Sequence, residues 1–168
     1  MKSAIDPRTT EEKIYVTWDE NKALVYELYE QIKIARWYFN ETLSVHHQRP
    51  VKRIVGVSRG GLIPGVMLSH MFDAEFEPLV WQTRDGGETD TIKAVELNNS
   101  DILEDTIFVD DICDSGTTIK QIRALIPDSQ WAVLHNKLGE MDVDFEGKRL
   151  YHDGIPDKRW VVYPWEKS

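Results

Sequence analysis

The chain has 168 residues, 41% hydrophobic and 29% charged, with a net charge of −9. This composition is typical of one globular domain with a sizeable core, and the negative charge argues against general binding to nucleic acids or acidic membranes. A single cysteine excludes an internal disulfide. No apolar run could span a bilayer, and the first residues do not read as a signal peptide. We therefore expect a cytoplasmic protein without membrane integration.

The first elements in chain order are a short strand and a long helix. Residues 1–12 are polar and we expect them to be loosely ordered, whereas residues 14–16 predict a strand. Asp19, or Thr17 before it, would cap a helix that begins near Glu20, where apolar residues recur at helical spacing.

A glycine turn follows the next strand. Residues 53–57 predict a buried strand and residues 62–72 a helix, joined by Ser-Arg-Gly-Gly. Backbone N–H groups at such a turn can bind an anion, and the guanidinium of Arg59 suits phosphate oxygens. Gly60 would let a ligand approach the backbone closely. From these residues alone, a plain tight turn that needs glycine is an equal interpretation.

The third strand leads into a polar loop. Residues 75–82 predict the strand, and residues 83–90 have almost no apolar content and two glycines, which indicates a mobile loop. Residues 92–97 predict a returning strand, so the loop would top a long hairpin.

The central motif is residues 107–118, IFVDDICDSGTT. It predicts a buried strand over 107–109, the acid pair Asp110 and Asp111 at the strand's end, a loop of small polar residues, and a helix over 119–126. Such a loop feeding a helix N-terminus is an anion site. The acids, with Asp114, would repel a bare phosphate, but they suit ribose hydroxyls, a magnesium ion or a proton to be moved. The plainer alternative is a strand end with solvated aspartates and a capped helix.

The rest of the chain adds a strand and an aromatic tail. Residues 130–135 predict a strand that ends before Lys137, and a lysine at a strand's carboxyl end points into the ligand crevice of an open α/β sheet. A surface lysine is the alternative. Residues 138–149 indicate a polar connector and residues 150–151 a short strand. The tail, residues 155–165, is so rich in aromatics that core packing or a subunit contact is favoured from the residues alone.

Alternation of strands with helices predicts an α/β fold with an open, mainly parallel twisted sheet flanked by helices. The acids of residues 110–114 also match the DDxxD pattern of prenyl-diphosphate enzymes. Those enzymes carry the pattern on helices of an all-α fold, whereas here it follows a strand.

The central motif resembles the signature with which type I phosphoribosyltransferases bind phosphoribosyl pyrophosphate (PRPP). The similarity covers most of the chain in order, from KIYVTWD at 13–19 through VSRGGLIPG at 57–65 to WVVYPW at 160–165. More narrowly, the chain resembles the bacterial xanthine-guanine members of that family. The resemblance implies a single domain over residues 1–168 with a flexible hairpin loop at 83–90 and a small hood that carries the base-binding tail at 150–168.

The implied reaction is the transfer of ribose 5-phosphate from PRPP to a 6-oxopurine (guanine, xanthine or hypoxanthine). Its products are the nucleoside 5-monophosphate and pyrophosphate, in purine salvage with Mg²⁺, by a homodimer or homotetramer. The alternative is a non-catalytic PRPP-binding regulator with the same fold. The family's Ser-Tyr at the start of the loop is replaced by Thr83-Arg84, and the C-terminus is shorter than in relatives.

The resemblance also implies roles for single residues. Asp114 would be the general base, and Asp111 would help to hold magnesium. The peptide between Arg59 and Gly60 would be strained or cis, and Arg84 or Lys93 would act from the loop. PRPP would contact Arg59, Gly60, Asp110, Asp111, Asp114, Ser115, Gly116, Thr117 and Thr118, and the purine would contact Lys137, Trp160 and Val161.

Overall fold

The computed structural model describes residues 12–42, 50–82, 88–98, 103–139 and 143–166, and within the first range it describes side chains as far as residue 37. The expected loose residues 1–11 and loop residues 83–87 lie outside the described residues. In chain order the elements are β1 (Lys13–Tyr15), α1 (Trp18–Thr42), β2 (Arg53–Ser58), α2 (Leu62–Phe72), β3 (Glu75–Val80), α3 (Thr91–Leu97), β4 (Thr106–Cys113), α4 (Thr117–Leu125), β5 (Gln130–Asn136), β6 (Phe145–Arg149), β7 (Tyr151–His152), β8 (Ile155–Pro156) and β9 (Trp160–Val162).

The central sheet has five parallel strands in the order β3-β2-β4-β5-β6. The predicted α/β fold with a parallel sheet flanked by helices is therefore confirmed. From β2 the chain passes through α2 to β3 on one side, and from β4 it passes through α4 to β5 on the other. The strand order thus reverses between β2 and β4, and open α/β sheets bind ligands outside the carboxyl ends of strands at such a point.

The core lies on both faces of this sheet because successive strand residues point to opposite sides. Ile54 and Ile107 belong to a buried cluster that includes residues of α1 and α2. Their neighbours Val55 and Phe108 belong to a second cluster, with residues of α3 and α4. Burial on both faces explains why β2 and β4 read as continuous apolar runs.

A capping box begins α1. The Oγ1 atom of Thr17 accepts a hydrogen bond from the Glu20 amide at 3.2 Å, and the Glu20 carboxylate accepts one from the Thr17 amide at 2.7 Å. Thr17 rather than Asp19 is therefore the cap.

Two sequence predictions outside the site are wrong. Residues 91–97 form helix α3 and not a returning strand. The Asp90 carboxylate caps the helix by accepting from the Lys93 amide at 2.9 Å, while Ala94 and Leu97 are buried at helical spacing. Residues 145–149, predicted as a connector, form the edge strand β6, whose polar sequence lacks the apolar pattern of a buried strand.

A small second layer pairs the start of the chain with its tail. Strand β1 runs parallel to β9, with Ile14 opposite Val161. Strands β7 and β8 form an antiparallel pair. None of the described helices is long and apolar enough to cross a membrane.

Candidate active site

The glycine turn after β2 lies against the acid pair on β4. A Cβ atom on Gly60 would collide with the Asp111 carboxylate, and one on Gly61 would collide with the carbonyl oxygen of Val109. Only glycine permits this approach. The glycine turn after β2 and the acid pair on β4 therefore share one crevice, at the point where the strand order reverses.

The cis peptide in this turn joins Ser58 and Arg59. The prediction placed the unusual peptide one bond later, between Arg59 and Gly60, and it is wrong in that detail. Arg59 itself is exposed. Its side chain is thus accessible from solvent.

The acid pair lies within β4, which continues to Cys113 instead of ending before Asp110 as predicted. The Asp110 carboxylate accepts a hydrogen bond from the Asp111 amide at 2.9 Å. Burial, followed by repulsion from Asp111, raises the pKa of Asp110 well above its ordinary value. Burial also raises the pKa of Asp111 to about 6, and repulsion from Glu166 adds to the effect. A bound cation or a hydrogen-bond donor would stabilise the ionised form of these carboxyls and lower their pKa values.

The loop after β4 has the geometry of a phosphate site. Gly116 adopts the left-handed conformation with φ of 71° and precedes the first residue of α4, Thr117. Amides in the first turn of a helix have no partner in the helix ladder, and they attract anions. The Ser115 and Thr117 hydroxyl oxygens lie 2.9 Å apart on the exposed side of the loop, and because one hydroxyl donates to the other, the pair adds one further donor.

The predicted general base and the predicted base-reading lysine form an ion pair. The Lys137 Nζ atom lies 3.2 Å from the Asp114 carboxylate, and the Lys137 side chain is only 5% exposed. The same ammonium donates to the carbonyl oxygen of Arg159 at 2.8 Å. Lys137 thereby connects the loop after β4 to the residue just before Trp160.

The tail places the predicted base-binding residues beside this lysine. Trp160 is 42% exposed, whereas Val161 is buried where β9 pairs with β1. The turn before Trp160 is held by Asp157, whose carboxylate accepts from the Arg159 amide at 3.0 Å and from its guanidinium at 3.1 Å. These hydrogen bonds lower the pKa of Asp157 to about 2.

The structure describes one of the two loop candidates. Lys93 lies on α3 and forms an ion pair with Glu77 at 3.1 Å. Glu77 pairs with Val55 in mid-strand of β3. A contact of Lys93 with the substrate stays a prediction. Arg84 lies outside the described residues.

One residue near the acids was predicted only to pack. The hydroxyl of Tyr163 donates to the backbone carbonyl of Asp111 at 2.9 Å and lies 2.8 Å from Nδ1 of His135. A buried tyrosine hydroxyl needs a hydrogen-bond partner, so the sequence does signal a polar contact. Nothing local in the sequence identifies Asp111 as that partner.

The carboxylate oxygens at this site suit a magnesium ion that is held jointly with a substrate. Among the described residues, no group of three His, Cys, Asp or Glu side chains could hold a metal ion. Mg²⁺ commonly binds one or two carboxylates together with water and substrate phosphates. The Asp111 carboxylate, with its raised pKa, is a donor of that kind.

Known proteins resemble this chain in both sequence and structure. No family model matches the chain. The chain is 23% identical over 160 residues to a xanthine-guanine phosphoribosyltransferase of Nitratidesulfovibrio vulgaris, covering 91% of this chain and 84% of the relative. It is 27% identical over 127 residues to a protein of the same name from Ruegeria sp., covering 70% and 69%. The crystal structure of a purine phosphoribosyltransferase from Pyrococcus horikoshii superposes with a TM-score of 0.61 and 25% identity, covering 93% of this chain and 95% of that one. These matches confirm the resemblance to type I phosphoribosyltransferases and to their xanthine-guanine members.

Proposed function

We propose that this chain is a magnesium-dependent purine phosphoribosyltransferase of purine salvage. It would transfer ribose 5-phosphate from PRPP to a ring nitrogen of a 6-oxopurine and release pyrophosphate. The observation that carries this proposal is the close approach of Gly60 to the Asp111 carboxylate, which brings the glycine turn against the acid pair of the central motif. The names of the relatives from Nitratidesulfovibrio vulgaris and Ruegeria sp. support the same activity.

Each part of PRPP has a chemically matched partner in the crevice. The loop residues 115–118 bind the 5-phosphate through first-turn amides and hydroxyls. Asp110 and Asp111 accept hydrogen bonds from the ribose hydroxyls. Arg59 and the backbone of Gly60 bind the pyrophosphate, for which a guanidinium has suitable geometry.

Magnesium belongs to this proposal as a partner of the substrate. Asp111 is the residue that would hold it, together with oxygens of PRPP. When bound, the ion would offset the charge of the pyrophosphate as it leaves.

The chemical step requires a proton acceptor beside the purine. The bond between the ribose carbon and the ring nitrogen forms while the bond to pyrophosphate breaks, and pyrophosphate leaves with the electron pair. The attacked carbon develops positive charge, so the protein positions a neutral base and a polyanionic leaving group. Asp114 takes the proton from purine N7 as general base.

The ammonium of Lys137 supplies selectivity for the base. An ammonium has three donors, of which two are directed to Arg159 and Asp114. The third is left for the exocyclic oxygen of a 6-oxopurine. Adenine carries an amino group there, which would set donor against donor. Trp160 offers an exposed ring for stacking on the purine, and Val161 offers its backbone.

The resemblance further supports a homodimer or homotetramer in the cytoplasm, which remains part of the proposal. Size-exclusion chromatography with light scattering would measure the subunit number.

Steady-state rates with guanine, xanthine, hypoxanthine and adenine, in the presence of PRPP and Mg²⁺, test the function directly. We expect a nucleoside 5-monophosphate from at least one 6-oxopurine and at least a hundredfold lower rate with adenine. A chain that binds PRPP but turns over none of the bases would instead be a regulator.

A further inference from the structure

The hydroxyl of Tyr163 lies behind the acid pair, between β4 and β5. It is 2.9 Å from the carbonyl oxygen of Asp111 on β4 and 2.8 Å from Nδ1 of His135 on β5. Tyr163 and His135 are only 2% and 3% exposed, so water does not compete for these bonds. The contact joins the tail of the chain to the strand that carries the acids.

The directions of the two hydrogen bonds follow from the atoms involved. A carbonyl oxygen can only accept, so the single proton of the Tyr163 hydroxyl is directed to Asp111. The hydroxyl oxygen must then accept from His135, whose Nδ1 carries the proton. Burial, followed by the charge of Asp111, raises the pKa of Tyr163 well above its ordinary value, so the hydroxyl keeps its proton.

The ring of Tyr163 is fixed by its neighbours. It stacks on Trp165 with centroids 4.9 Å apart and planes within 8°. The Tyr163 amide donates to the Glu166 carboxylate at 3.0 Å, and the Glu166 amide donates back to the Tyr163 carbonyl at 3.0 Å. The hydroxyl therefore has a defined position relative to β4.

We propose that Tyr163 is a positioning residue for PRPP binding. It holds the backbone of Asp111 so that the carboxylate stays against Gly60, facing the crevice. This inference rests on the proposed function, because it assigns Tyr163 a part in binding the substrate of that reaction.

The proposed effect of Tyr163 on PRPP binding depends on small displacements of Asp111. Misplacing a positioned group by about 1 Å can cost a hundredfold in rate. Tyr163 touches neither the phosphate loop nor the glycine turn in any described contact, so its effect would pass through the backbone of Asp111.

The test is Tyr163→Phe, which keeps the ring stacked on Trp165 and removes only the hydroxyl. The matched control is Tyr29→Phe, because Tyr29 packs its ring against Phe72 with centroids 4.7 Å apart and lies on α1. Binding of PRPP with Mg²⁺ is measured by titration calorimetry, and KM for the purine by steady-state kinetics, at a temperature where circular dichroism shows each variant folded.

We expect Tyr163→Phe to weaken PRPP binding about tenfold, or about 1.4 kcal/mol in binding free energy, because the Asp111 carboxylate loses its fixed position. KM for the purine should stay within twofold, and Tyr29→Phe should match the parent chain. A purely structural role would lower the melting temperature and leave PRPP affinity within twofold, which would overturn the inference.

If Tyr163→Phe does not fold, His135→Leu provides the second arm. It keeps the hydroxyl and removes the N–H that orients it, and we expect about threefold weaker PRPP binding. Unchanged affinity in a folded His135→Leu chain would also overturn the inference. A parent chain that neither binds PRPP nor forms nucleotide would contradict the proposed function itself, whereas an active parent with an equally tight Tyr163→Phe variant would contradict only this assignment.

Discussion

The Nζ atom of Lys137 lies 3.2 Å from a carboxylate oxygen of Asp114, although the two residues belong to different βα units. Their pairing follows from the parallel sheet, because β4 and β5 are neighbours and both residues come directly after their strands. The proposed proton acceptor and the donor that would read the base are thus adjacent before any substrate binds. A purine placed beside this ion pair would meet both groups at once.

Replacing Asp114 separates proton transfer from PRPP binding. We expect Asp114→Asn to lower kcat by about 10²–10⁴-fold, as the loss of a general base does, while the Kd for PRPP changes less than threefold. The control is Asp128→Asn, which changes an exposed aspartate just beyond α4. An equal loss of turnover and PRPP affinity would make Asp114 a substrate-binding residue instead.

Removing the ring of Trp160 should affect the purine alone. We expect Trp160→Ala to raise KM for the base by about tenfold or more, since stacking on an aromatic ring contributes about 1–3 kcal/mol. PRPP affinity should stay the same. Trp37→Ala is the control, because Trp37 is 59% exposed on α1. Unchanged KM for the base would exclude Trp160 from the site.

The pH dependence of PRPP binding reports on Asp111. The pKa of Asp111 is raised to about 6 in the folded protein, so its carboxylate ionises as the pH rises through that value. Magnesium and ribose hydroxyls both require the ionised form, and affinity for PRPP with Mg²⁺ should therefore rise between about pH 5 and 7. Phosphate groups of the ligand titrate in the same range. The slope of PRPP affinity against pH that remains in Asp111→Asn is therefore subtracted from the slope of the parent chain. Equal slopes in the two chains would refute this role.

The ionised Asp111 carboxylate should destabilise the ligand-free protein at neutral pH. A carboxyl with a raised pKa stabilises the fold below its ordinary pKa of about 4, and this contribution is lost as the pH rises to about 6. We expect Asp111→Asn to raise the free energy of unfolding by about 2 kcal/mol at pH 7.5, and the difference to shrink toward pH 4. Urea denaturation at both pH values measures it, and a variant less stable than the parent at pH 7.5 would be the contrary result.

A methyl group on Gly60 tests the contact that organises the crevice. The added Cβ would collide with the Asp111 carboxylate, so Gly60→Ala should displace either the glycine turn or the Asp111 side chain. We expect PRPP binding to weaken at least tenfold and stability to fall by about 1–3 kcal/mol, as overpacking does. The double variant Gly60→Ala, Asp111→Ala removes the collision. Its loss of stability should therefore be smaller than the sum of the losses in the two single variants. Additive stability effects would mean that the two residues do not touch.

The sequence identifies the elements that build the crevice better than those at its margins. Residues 54–57 of β2 and 107–109 of β4 are buried on both faces of the sheet, so they are apolar whichever way they point, and a glycine-containing turn follows each strand. By contrast, β6 is a polar edge strand, and α3 buries only Ala94 and Leu97. For residues 91–97, the sequence feature that distinguishes a helix from a strand is the capping carboxylate of Asp90.

Contacts between distant segments were the harder part to predict. The acids of the central motif were identified from the sequence, yet the hydrogen bond from Tyr163 to Asp111 depends on how the tail returns across β4 and β5. Likewise, the sequence does not show that Lys93 pairs with Glu77, which lies in mid-strand β3. In both cases the relevant neighbour is set by how distant elements pack together, which no local pattern reports.

The most direct test of the central claim is a crystal structure of the chain with PRPP and Mg²⁺ in the absence of purine. We predict the 5-phosphate on the amides of residues 115–118, the ribose hydroxyls on Asp110 and Asp111, and the pyrophosphate beside Arg59 and Gly60. Density for PRPP at any other place on the chain would contradict the account.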